Sequence, residues 1–192
     1  MLYATDIARQ IGLREPFLLA TRRTGEHFLA RLKDAVAAAN HNDVIFLSFT
    51  GIEFMDPSFT DEVLGTIGTE RAQRKFIGPR LVLSDVNFDL RDNITTLLDS
   101  RPRRTRIGNC VFPVIDEKGR MDLVGPREDY IDETFRFLKR KEAITARDLQ
   151  ENFKLKIGAA STRLKAIYDL GLAVRSAHRD APGGQYTYHL PL

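Results

Sequence analysis

ITARDLQENFKLKIGAASTRLKAIYDLG, residues Ile144 to Gly171, holds two helix-forming runs joined by a short turn. In the first run Thr145 stands where an N-cap is expected. Asp148 follows three residues later as in a capping box, and Ala146, Leu149 and Phe153 share one face. KLKIG makes the turn. In the second run Ala160, Leu164, Ile167 and Leu170 recur at helical spacing, and Gly171 sits where a left-handed residue closes a helix. Downstream, LAVRSAH and QYTYHL alternate as strands do, around the exposed loop RDAPGG. With one more helix ahead of Ile144, Arg127 to Leu192 reads as three short helices and a two-stranded hairpin.

That layout resembles the bacterial winged helix-turn-helix family, and the resemblance implies contact with nucleic acid. In such pairs the second helix turns its N-terminal half toward base edges. Opposite the apolar stripe lie Ser161, Thr162, Lys165 and Asp169, with Arg163 at the border. Ser161, Thr162 and Arg163 are the candidates for base contacts. Lys154 and Lys156 in the turn, and Arg175, His178 and Arg179 on the wing, suit phosphates. The implied partner is double-stranded DNA, bound by a homodimer because one small module gives weak specificity. Winged helices also bind proteins, and Asp169 fits that alternative.

Charge points the same way, modestly. Met1 to Pro126 carries 17 basic and 17 acidic residues, whereas Arg127 to Leu192 carries 12 and 9, so the formal excess of +3 lies in the C-terminal part. Clustered positive charge is the footprint of a phosphate-binding surface. At 192 residues the chain has room for two small domains, and Pro126 marks the boundary between 1–126 and 127–192. Cys110 is the single cysteine, which excludes an internal disulfide and a multi-cysteine zinc site. The start, MLYATDIARQ, lacks the apolar stretch of a signal peptide, and no run approaches a membrane span. A soluble, cytoplasmic protein of bacterial type with no membrane partner is expected.

Ahead of Pro126, strand-like and helix-like runs alternate from about residue 40. TGEHFLARLKDAVAAA (Thr24 to Ala39) is amphipathic, and VIFLSF is an apolar run that suits a strand buried on both faces. TGIEF reads as a connector. In MDPSFTDEVLGTIGTERAQRK, Asp56 is a good N-cap and Pro57 fits the first helical position. RLVLSDV is a second buried strand and FDLRDNITTLLDS another helix. RPRRTR (Arg101 to Arg106) reads as a solvated basic turn, and CVFPVIDEKGRMDLVG as a hairpin. An α/β layer with parallel strands follows.

The stretch VIFLSFTGIEFMDPSFTDEVLG (Val44 to Gly65) is similar to the central motif of STAS domains, the fold of anti-sigma factor antagonists. Phe54, Met55 and Asp56 match that motif. Pro57 replaces a serine, Ser58 aligns with the serine phosphorylated in the family, and Phe59 replaces a glycine. TRRTGEHFL ahead of it brings the chain closer to a bacterial STAS-like family of unknown function. The resemblance covers roughly residues 14 to 105 and implies a STAS-like mixed α/β sheet that binds a regulatory protein partner. The residues themselves allow a phosphate at Ser58, where the first-turn N–H groups favour an anion, although Asp56, Asp61 and Glu62 would repel it.

No phosphate-cradling glycine loop, dinucleotide fingerprint or metal-ligand spacing occurs among the residues, and no nucleophile has a base beside it. His178 and His189 are placed across the wing from each other as structural or phosphate-facing groups. No enzyme, cofactor or metal is expected. The leading expectation is a transcriptional regulator, in which the STAS-like module senses or binds a partner and the winged helix binds DNA. The alternative is a partner-switching adaptor gated by phosphorylation at Ser58, without DNA binding.

Overall fold

The computed structural model describes residues 1–76, 78–105, 109–177 and 186–192, with 101–105 described by backbone alone. The chain is mixed α/β and divides into two compact units, Met1–Pro126 and Arg127–Leu192.

The N-terminal unit is built on a five-stranded sheet of β1 (Leu2–Tyr3), β3 (Val44–Ser48), β5 (Arg80–Val86), β6 (Phe112–Asp116) and β7 (Met121–Val124), in that spatial order. The first three pairings are parallel and β6–β7 is an antiparallel hairpin. Its connecting helices are α1 (Ala4–Gln10), α2 (Arg22–Val36), α3 (Pro57–Thr60), α4 (Thr66–Ala72) and α5 (Phe88–Thr105), with a π-helical turn, Asp61–Gly65, joining α3 to α4. Every parallel step crosses the sheet in the same direction, so right-handed connections gather the helices on one face. There Phe28, Leu32, Phe59, Leu64, Ile67 and Ile94 share a core with Leu47, Leu83 and Val114.

Close packing constrains two glycines in that layer. A β-carbon on Gly25 of α2 would meet Glu62 at 2.8 Å, and one on Gly68 of α4 would meet the Cys110 sulfur at 2.3 Å. Cys110 is thus a buried core residue lying against a helix backbone. Beside it Arg71 is also buried. One of its guanidinium nitrogens donates to the Pro79 carbonyl at 2.7 Å, and Nη1 has no hydrogen-bond partner among the described residues. The group lies over the Phe76 and Phe112 rings. Burial, and then the like charge of Arg80, lower its pKa to about 9.

Several local readings change in three dimensions. TGIEF is more than a connector: β4 (Ile52–Met55) pairs in parallel with β2 (Phe17–Leu19) in a separate two-stranded sheet. The first three residues of β3 are only half-buried, so its continuous apolar run overstates its enclosure; β5 is buried along nearly all its length. The backbone of Arg101–Thr105 continues α5 through Pro102 instead of turning; Arg106 lies outside the described residues.

In the C-terminal unit, α6 (Asp129–Lys141), α7 (Ala146–Phe153) and α8 (Ile157–Asp169) pack with a three-stranded antiparallel sheet. Its strands, in spatial order, are β8 (Ala143–Ile144), β10 (Tyr186–His189) and β9 (Val174–Ala177). The two-residue β8 adds a strand to the hairpin read from the sequence. No described helix of either unit is long and apolar enough to cross a membrane.

Candidate nucleic-acid interface

The pair α7–α8 is set by contacts already local in the chain. The Asp148 N–H donates to the Thr145 hydroxyl oxygen at 3.3 Å, and the Asp148 carboxylate accepts from the Thr145 N–H at 2.7 Å, a complete capping box. Lys154 closes α7 in the left-handed region, at φ 52°, and three residues, Lys154 to Lys156, make the turn. Helix α8 ends in a Schellman arrangement: Gly171 N–H reaches the Tyr168 carbonyl at 3.0 Å and Leu172 N–H the Ile167 carbonyl at 2.9 Å. Gly171, at φ 77°, adopts the backbone this closure needs.

Ala160, Leu164, Ile167 and Leu170 are all buried, as the periodicity predicts. Phe153 meets Phe137 of α6 edge-on, with ring centroids 5.6 Å apart, so α7 is tied to α6 as well as to α8. Truncating a fully buried residue of this stripe such as Leu164 to alanine costs about 2–5 kcal/mol.

Away from the stripe, Ser161, Thr162 and Lys165 are exposed together with Ile157, Gly158 and Ala159. The Thr162 hydroxyl donates back to the Gly158 carbonyl at 2.9 Å, and the Lys165 ammonium lies 2.6 Å from the Asp169 carboxylate. Lys154 and Lys156 are exposed beside the start of α8, which has no side-chain cap.

Arg163 does not join that surface. Its side chain is 24% exposed, pairs with Glu133 of α6 at 3.1 Å, and lies 5.6 Å from the Tyr130 ring centroid and 5.7 Å from that of Phe153. Burial pushes the Tyr130 phenol pKa up, and Glu128 adds to the rise. Position 163 flanks the buried stripe, and a carboxylate and two rings turn a long side chain inward there. Arg175 on β9 is likewise engaged, with its guanidinium 4.2 Å from the Tyr168 ring centroid and 4.4 Å from that of Tyr186. His178 and Arg179 lie outside the described residues. His189 stands opposite Val174 in the register, with its Nε2 3.3 Å from the Ser176 hydroxyl.

Sequence reasoning missed Ile157, Gly158 and Ala159. Ile157 precedes Ala160 by three residues and falls in line with the apolar stripe, yet it is 50% exposed while Ala160 is buried. KLKIG is shorter as a turn than the sequence suggests: only Lys154 to Lys156 make it, and Ile157 and Gly158 already belong to α8.

Ser58 is exposed in the first turn of α3. Asp56 caps that helix: one carboxylate oxygen accepts the Phe59 N–H at 2.7 Å and the other accepts the Thr21 N–H at 2.8 Å. Of the nearby acids, Asp61 and Glu62 are both held by Arg22, at 3.0 and 2.7 Å, and those bonds raise the arginine pKa. Their negative charge is thereby partly offset, which weakens the repulsion expected at Ser58.

Among the described residues no group of three His, Cys, Asp or Glu side chains is placed to hold a metal ion. No protein-family model matches the chain, and no curated protein matches it.

Proposed function

We propose that the chain is a regulatory protein whose C-terminal unit is a winged helix-turn-helix that binds double-stranded DNA, with α8 entering the major groove. The observation that carries this reading is the exposed first half of α8. It offers Ser161, Thr162 and Lys165, is flanked by Lys154 and Lys156, and bears no acidic side chain before Asp169, which Lys165 already holds. Uncapped helix N–H groups and two lysines at one point suit a phosphate. Arg163 drops out as a base reader and becomes the residue that orients α8 on α6. Arg175, braced by two tyrosines, keeps its role as a phosphate contact on the wing.

A regulator also needs an input, and the STAS-like reading of the N-terminal unit supplies one. Leu18 and Phe54, neighbours in the β2–β4 register, are 48% and 45% exposed, and this apolar pair favours a protein partner on that unit. The same observation supports the second reading, an adaptor switched by phosphate at Ser58. A gel shift with random-sequence duplex DNA at low and moderate salt separates the two. The DNA reading expects a shift that weakens steeply as salt rises; the adaptor reading expects none at any salt concentration.

A further inference from the structure

Gly158 is anomalous within the chain. It occupies the second position of a 13-residue helix, where glycine is less stable than alanine. Its φ is not positive, and a β-carbon built on it would meet nothing within 4 Å. Neither backbone conformation nor internal packing therefore calls for glycine here. Close approach of the backbone to a ligand is a further reason for glycine.

The side chains around Gly158 describe that body. Ile157 begins one exposed row with Ser161 and Lys165, and Gly158 shares the next row with Thr162. The Thr162 hydroxyl proton is committed to the Gly158 carbonyl. What remains in front of the helix is Ile157, a bare stretch of backbone and the Thr162 methyl, with the Ser161 hydroxyl between them and Lys154 and Lys156 at the flank. An apolar surface in a cationic frame suits the one apolar group in the major groove, the thymine methyl.

We propose that Ile157, Gly158 and Thr162 form a reading patch for thymine methyl groups, so that the DNA sites of this chain contain A·T pairs under the first turn of α8. The proposal rests on the DNA-binding reading above. Gly158 lets the backbone close on the groove, and Ile157 and Thr162 cover the methyls.

The test starts from duplexes that the full chain enriches from a random-sequence pool. These carry thymine at the core of the site. Resynthesis with deoxyuridine, which removes only the 5-methyl group, lowers affinity about fourfold per methyl buried. Gly158→Ala raises the melting temperature by about 2–4 °C while weakening binding about tenfold. Thr162→Ser keeps the hydroxyl and narrows the thymine-to-uracil ratio, whereas Thr162→Val preserves it. Equal affinity for thymine and uracil duplexes, or undiminished binding by Gly158→Ala, overturns the inference and leaves the DNA reading intact. A pool from which nothing is enriched removes the DNA reading and the inference together.

Discussion

Helices α3 and α8 begin in opposite ways. At the start of α3 a carboxylate, Asp56, accepts one N–H of its own helix and one from Thr21, so the positive end of the helix is neutralised by the chain itself. At the start of α8 the N-cap is Lys156, which provides no side-chain acceptor, and Lys154 stands two residues earlier. Cations there oppose the helix dipole and lower the stability of the free protein. The first end is closed by the chain's own carboxylate; the second has no side-chain cap, and the DNA reading places a phosphate there.

Asp56→Ala gives the largest effect on this contrast. Losing the cap and the bond to Thr21 lowers the stability of the N-terminal unit by about 1–2 kcal/mol, measured by denaturant unfolding. An unchanged midpoint would mean that the start of α3 is not held from within. Arg163→Ala comes next. Because the side chain braces α8 on α6, its loss destabilises the C-terminal unit by about 0.5–1 kcal/mol and weakens DNA binding alike on all sequences. Selective loss on one preferred site would return Arg163 to the groove. Lys156→Ser sharpens the contrast in the opposite direction. Serine supplies the missing cap, so stability rises by about 0.5–1 kcal/mol while DNA affinity falls.

A smaller effect concerns acid. Asp116 accepts the Arg120 side chain at 2.8 Å and its N–H at 2.9 Å, and those bonds hold its pKa at about 2, below the usual carboxylate range. A depressed carboxylate contributes stability above the unfolded pKa and loses it as pH falls through the folded one. Amide protection in the β6–β7 hairpin, taken relative to the intrinsic exchange rate at each pH, therefore falls between about pH 4 and pH 2, and Asp116→Asn removes that dependence. Identical profiles in wild type and variant would contradict this assignment.

What the sequence made legible follows the reach of the interactions. The capping box at Thr145 and Asp148, the closure at Gly171 and the stripe through Ala160, Leu164 and Ile167 are set within a few residues, and each reads directly from spacing. Strands β1, β2 and β4 are two to four residues long and gain their form only from parallel partners distant in the chain, so no local pattern marks them. Arg163 sits at the border of a stripe, where α6 decides its direction, and Ile157 is exposed although its spacing puts it in line with that stripe. Gly158 is plain in the sequence, but its lack of an internal reason is visible only once the space around it is known.

The salt dependence of DNA binding by wild type and by a Lys154→Ala/Lys156→Ala double variant tests the central claim most directly. If the open start of α8 receives phosphates, log affinity falls linearly with log salt for wild type, and the double variant loses about two units of that slope, roughly 0.9 for each contact removed. Its folding stability stays the same or rises. Equal slopes for the two proteins, or no binding by wild type at low salt, would contradict the claim that α8 is left open for a phosphate backbone.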